Sequence, residues 1–223
     1  MVDAKSLREQ TIREAKCTLI LDAAREVFAQ NGFHAARLED IAARAGFSKG
    51  SLYNYYDNKE LIFLNLAIRE YEALHERVKE SIGPNDTLET SLRNVTGCIF
   101  DVMGAHFTLL MEIWEFRCQG FPGLSEILKS HHDLFSVFKR FATALQETVA
   151  TIFARARSRG EVRTALSDTV LAAYYGAMIR GIVFNWKMNE AMGDVAQESE
   201  MMIAFFMNGV RAPLESIKTG DRE

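Results

Sequence analysis

An all-α fold is what this 223-residue sequence predicts, and three observations carry the prediction. Apolar residues recur at helical spacing along nearly the whole chain, only three prolines interrupt it, and alternating β-branched runs are few. The hydrophobic fraction of 48% lets a chain of this length bury a substantial core, as one large domain or two small ones.

About nine helices follow from the pattern. Ile20, Ala23, Ala24, Val27 and Phe28 fall at i, i+3, i+4, i+7 and i+8, forming one apolar face that Asn31-Gly32 brings to a stop. Leu38, Ile41, Ala42 and Ala45 mark a short second helix ended by Gly46, and Leu52 with Tyr56 marks a short third that opens near Ser48. Asp57 or Asn58 can cap a longer fourth carrying Leu61, Leu64, Ala67, Ile68, Tyr71, Leu74 and Val78, as far as Gly83-Pro84. Asp86 with Glu89 has the form of a capping box opening a fifth, to about Gly104. A sixth is expected over His106 to Arg117, closed by Gly120 to Gly123, with a short segment at 124–129 after it. The seventh runs from Ser130 to Arg159 and stops at Gly160; Ser167 or Asp168 caps an eighth that reaches about Met192; the ninth spans Asp194 to Val210.

Composition narrows the class. Cys17, Cys98 and Cys118 form neither a CxxC pair nor an even set, which argues against a disulfide framework or a zinc finger and for a reducing compartment. The N-terminal stretch is charged throughout, and no apolar run approaches the roughly 20 residues that span a bilayer. A soluble, cytoplasmic protein with no membrane partner is expected. The formal charge of −4 is not that of a nucleic-acid binder taken whole, but residues 1–60 hold nine basic and nine acidic side chains, so the remainder carries the excess.

The information lies between residues 38 and 59. Two short helices joined by a tight turn, the second opening on small and polar residues, form a helix-turn-helix arrangement. Ala42 is small where the helices cross, Gly46 permits the turn, and Ser48 can cap the third helix. Ile41 and Leu52 are expected against Val27 and Phe28, leaving Lys49, Ser51, Asn54 and Tyr55 to reach a groove.

The stretch "ILDAAREVFAQNGFHAARLEDIAARAGFSKGSLYNYYDNKELIF", Ile20 to Phe63, resembles the tetracycline-repressor (TetR) family of bacterial transcriptional regulators. The order "AREVFAQNGF", "DIAARAG", "SKGSLYNYY", "NKEL" carries the resemblance, over about a fifth of the chain. It implies a DNA-reading domain over residues 1–60 and an effector-binding and dimerisation domain over 61–223, linked through the fourth helix. Two positions depart from the family pattern. Arg37 stands where Thr or Ser usually caps the second helix; either it meets a phosphate instead, or the cap is lost at about 1 kcal/mol. Tyr56 places a hydroxyl on the second ring of the closing aromatic pair.

The resemblance turns the polar face into an assignment: Arg37, Ser48, Lys49, Gly50, Ser51, Tyr53, Asn54, Tyr55 and Lys59 are expected at DNA. Lys49 to guanine or Asn54 to adenine would give direct readout worth roughly 1 to 3 kcal/mol per contact, the alternative being a solvated helix face. Ser48, Tyr53, Tyr55 and Lys59 have the chemistry of phosphate clamps, with a core position as the alternative for Tyr53. The amides opening the fourth helix after Asn58 can also meet a phosphate.

Farther along, Phe100, Met103, Phe107, Met111 and Trp114 recur at helical spacing, as a plain core stripe or as the lining of a cavity. The family binds small effectors between its later helices, so the resemblance implies a pocket, with His106 and Arg117 among its polar groups and a largely apolar or aromatic compound as its ligand. Tyr174, Met178, Ile182, Met202, Phe205 and Phe206 offer apolar area that is either intrachain core or, as the family implies, the two-fold interface of a homodimer.

An enzyme is not expected. Glu72-x-x-His75 matches one half of a di-iron carboxylate site, but the sequence contains no second Glu-x-x-His, and "HHD" at His131 to Asp133 lacks a complementary ligand set. Neither a Gly-rich phosphate loop nor a nucleophile with its base is present. No catalytic residue, metal or cofactor is therefore assigned; the partners expected are double-stranded DNA, a second copy of the chain and a small-molecule effector.

Overall fold

The first helix, α1 (Ala4–Ala35), already extends well upstream of the apolar face that announces it. The structure is a computed structural model that describes residues 3–102, 132–189 and 193–211. Residues 4–19 present no buried side chain; good helix formers, the Asp3 side chain accepting from the Lys5 amide and a Gln10–Glu14 bond at i, i+4 sustain the turns. Gly32 then breaks the helical backbone with φ 72° and ψ 162°, so the expected stop appears as a kink inside a helix that resumes to Ala35. After it come α2 (Leu38–Ala45), α3 (Lys49–Tyr53) and α4 (Lys59–Ser81).

A helix beginning at residue 88 is followed to residue 102 and is called α5. Its cap differs from the expected box: the Thr87 hydroxyl accepts from the Thr90 amide, while Asp86 turns back to receive the Gly83 amide at 2.7 Å and closes the Gly-Pro turn. Then α6 (His132–Ser158) ends before Gly160 at φ 75°, α7 (Asp168–Met188) opens on the Ser167 hydroxyl, and α8 (Val195–Arg211) opens on Asp194. Eight helices and no strand are thus present among the described residues. The expected sixth helix and the 124–129 segment lie outside them.

The chain divides into two units, and the division falls inside α4, between Ala73 and Leu74. In the first unit Ile20, Val27 and Phe28 of α1, Ile41 of α2, Leu52 of α3 and Leu61 to Ile68 of α4 close one core. Phe28, Phe33 and Phe63 meet with ring centroids 4.8 to 5.7 Å apart. Ion pairs fasten α1 to α4 beside it: Arg25 to Glu70 at 2.6 Å and Arg69 to Asp22 at 3.0 Å.

The second unit has its own core around Phe100, Phe153, Tyr175, Trp186 and Phe206. The Trp186 indole donates to Glu198 at 2.9 Å, and Arg157 ties the end of α6 to Asp168 and to the carbonyls of Thr164 and Leu166. His75 is accounted for here by a 2.8 Å hydrogen bond with the Thr148 hydroxyl.

Candidate nucleic-acid interface

The turn between α2 and α3 is built on Gly46, which takes φ 76° as the left-handed cap of α2, with its amide directed at the carbonyls of Ala42 and Ala43. A side chain there would strain the backbone by roughly 1 to 2 kcal/mol, which is why the position needs glycine. Ile41, Ala42 and Leu52 are buried on the inner side. The two short helices are thus fixed by their apolar contacts and a conformationally restricted turn, and the remaining faces are open.

Ser48 caps α3 by accepting the Ser51 amide at 3.1 Å, and the two serine hydroxyls share a 2.8 Å hydrogen bond. Only one hydroxyl proton is used in that bond, so the pair retains one donor for an outside acceptor. Lys49, Gly50, Tyr53 and Asn54 are exposed, Tyr53 by 44%, which decides against a core position for it. The ideal Cβ position on Gly50 meets nothing within 4 Å, leaving room for another backbone to approach α3. Arg37 sits at the N-cap of α2, exposed and without a side-chain cap bond, as its chemistry requires.

Three residues sit differently from the sequence expectation or were not foreseen. Lys59, expected at a phosphate, gives its ammonium to the carbonyls of Phe33, His34 and Ala36 at 2.9, 3.0 and 3.2 Å, closing the kinked end of α1; three donors meet three acceptors, so it leaves the proposed DNA-facing set. Arg13 of α1 donates to the Asn54 carbonyl at 3.1 Å and lies 5.3 Å from the Tyr55 ring centroid, with Lys16 at 5.9 Å. Tyr55 is half-buried, with two cations near its ring and Phe47 and the core also against it, while its neighbour Tyr56 is buried and burial pushes its phenol well above the ordinary range. Nothing in the local sequence signals the Arg13 contact, because 41 residues separate the partners.

The charge of α3 is also answered within the protein. Lys49 is held by Glu39 of α2 at 2.5 Å, and this hydrogen bond lowers the carboxyl below its usual range and raises the ammonium above its own. Arg44 is paired with Glu26 and Gln30 of α1.

Of the expected effector-pocket residues only Phe100 is described, and it is buried against Trp186 with centroids 5.0 Å apart. Met103, His106, Phe107, Met111, Trp114 and Arg117 lie outside the described residues. Of the expected interface residues, Tyr174 and Phe205 are 56% and 74% exposed and Met178 and Ile182 are half-buried. Met202 and Phe206, at 3% and 7%, pack into this chain's own core, so the outward positions of α8 are instead Met201 and Phe205. Among the described residues no three His, Cys, Asp or Glu side chains come together as a metal site, and no helix is long and apolar enough to cross a membrane.

Residues 20–66, which contain this arrangement, match the family model described as bacterial regulatory proteins, tetR family. The chain is 24% identical over 202 residues to the fatty acid metabolism regulator protein of Bacillus subtilis (strain 168), covering 89% of this chain and 97% of that one. It is 24% identical over 210 residues to the HTH-type transcriptional regulator UidR of Escherichia coli (strain K12), covering 94% and 96%. The solved transcriptional regulator FadR from Bacillus subtilis, in complex with stearoyl-CoA, has the same fold, with a TM-score of 0.69 at 22% identity over 86% of this chain and 98% of that one. These relatives are regulators, of fatty acid metabolism and of transcription. The chain thus resembles the bacterial regulatory proteins of the tetR family over residues 20–66, the segment that holds the helix-turn-helix described above.

Proposed function

We propose that this regulator is a ligand-responsive repressor that binds a palindromic operator as a homodimer and is released by a small, largely apolar or aromatic effector. The observation that carries the DNA-reading part is the exposed face of α3: Lys49, Gly50, Tyr53 and Asn54 point outward while Leu52 anchors the helix in the core. Lys49 and Asn54 are the base readers; the Ser48–Ser51 hydroxyl pair, Tyr53, Arg37 and Tyr55 position the helix on phosphates. Two such helices related by a two-fold axis would enter successive major grooves roughly 34 to 36 Å apart.

The homodimer is supported by the outward faces of α7 and α8. Tyr174, Ala177 and Gly181 are exposed along α7, Met201, Ala204 and Phe205 along α8, a mixture of large apolar and small residues suited to close helix packing. The stearoyl-CoA held by the related Bacillus FadR supports an effector with a long apolar chain. Such an effector weakens DNA binding only by its preference for the dimer state that does not match the operator.

Selection of bound sequences from random DNA tests the reading, with a two-fold symmetric site expected. On that site the Lys49→Ala/Asn54→Ala double variant should lose sequence preference by roughly 1 to 3 kcal/mol per contact. Retained selectivity would move the reading role to other residues. Adding stearoyl-CoA to the complex should release the DNA if the effector class is right.

A further inference from the structure

Glu39 occupies the first turn of α2, where a carboxylate is favoured by the helix dipole, and its side chain crosses ten residues of chain to hold Lys49 at the first turn of α3. Lys49 is the one charged side chain within α3, so the reading helix carries no uncompensated cation. Of the neighbouring cations, Arg44 is engaged by Glu26 and Lys59 by backbone carbonyls, while Arg37 is exposed two residues before Glu39 and adds its charge to that of Lys49 at the carboxylate. Both side chains of the Glu39–Lys49 pair remain about half exposed, so the bond is open to competition from an incoming anion.

Glu39 takes one of the three donors of the Lys49 ammonium and neutralises its charge, so a phosphate approaching Lys49 competes with that carboxylate. A lysine meeting duplex DNA normally releases about 0.9 of a condensed counterion, which is the origin of salt-dependent affinity. A lysine that abandons a carboxylate leaves that negative charge beside the DNA, and the exchange brings no net positive charge to the backbone. From this geometry, and resting on the DNA-reading role proposed above, we infer that Glu39 competes with DNA for Lys49 and thereby restrains non-specific binding.

Removing the competitor frees Lys49 for any phosphate within reach. Glu39→Gln keeps the shape and a hydrogen-bonding amide while deleting the charge, and the exposure of the pair means that the fold does not depend on it. Non-specific duplex affinity should tighten about two- to fivefold, the span an exposed ion pair covers. The slope of log affinity against log salt should steepen by up to about 0.9.

The test is a cycle of wild type, Glu39→Gln, Lys49→Ala and the double variant, titrated with scrambled duplex DNA at several salt concentrations. Tightening and a steeper slope that disappear in the Lys49→Ala background support the inference. An unchanged Glu39→Gln overturns it, as does the same gain with and without Lys49, which would mean that Glu39 merely repels phosphates. A wild-type protein that selects no sequence from random DNA overturns the DNA-reading role itself, whereas normal selection with an uncoupled cycle overturns only the competition.

Discussion

Tyr175 illustrates how a single hydroxyl sets a pH limit. Its ring is 1% exposed, its hydroxyl donates to the Leu92 carbonyl at 2.8 Å and shares a second hydrogen bond with Thr96, and Phe206 meets it in an edge-to-face arrangement at 5.5 Å. Burial pushes the phenol well above its ordinary range, the Thr96 bond only partly opposing it. A folded-state value raised above the unfolded one gives stability that is full below about pH 10 and is lost as pH rises through the window above it. Urea denaturation should show stability falling with a slope of up to about 1.4 kcal/mol per pH unit for this proton. Tyr175→Phe should lose about 1 kcal/mol at neutral pH and show a shallower alkaline fall, the buried Tyr56 still contributing. An alkaline limb equally steep in the variant would assign that loss to other groups.

At the scale of elements, one cation closes the kinked end of α1 onto the start of α4. Lys59, the first residue of α4, ties three carbonyls at the C-terminal end of α1 and lies 4.7 Å from the Phe33 ring centroid. Lys59→Met should therefore destabilise the first unit by about 1.5 to 3 kcal/mol in a thermal or urea melt, as the charge-assisted bonds to these partly buried carbonyls are lost. A change below about 0.5 kcal/mol would mean that water replaces the ammonium. The Lys59 role was not legible in the sequence, since "NKEL" reads equally well as a DNA-facing motif until the fold brings residues 33–36 beside it. What local chemistry dictates was legible: Gly46 as the turn, Ser48, Asn58 and Ser167 as caps, Leu52 as the anchor. Failures came where two local solutions compete, as when Thr87 rather than Asp86 caps α5, or where no periodicity exists, as in the exposed turns of α1 before Ile20. The Glu39–Lys49 and Arg13–Asn54 contacts belong to tertiary structure and have no signature in spacing.

For the whole molecule, the apolar exposure of the second unit is the property that asks for a partner. Phe205 at 74% and Tyr174 at 56% exposure are large side chains of a kind that two copies would bury together. Phe205→Glu should convert the proposed dimer to monomer in sedimentation experiments and weaken operator binding with it, while the helical content stays unchanged because Phe205 lies outside the core. A dimer that persists would place the interface elsewhere. The position of Arg13 bears on how far such a regulator is modular. The carbonyl at the end of the reading helix is held by a residue upstream of the segment 20–66 that matches the family. A chimeric regulator that grafts this reading head onto another sensor and begins at Ile20 would discard both the brace on Asn54 and the cations over Tyr55, so the transplantable unit starts before Arg13.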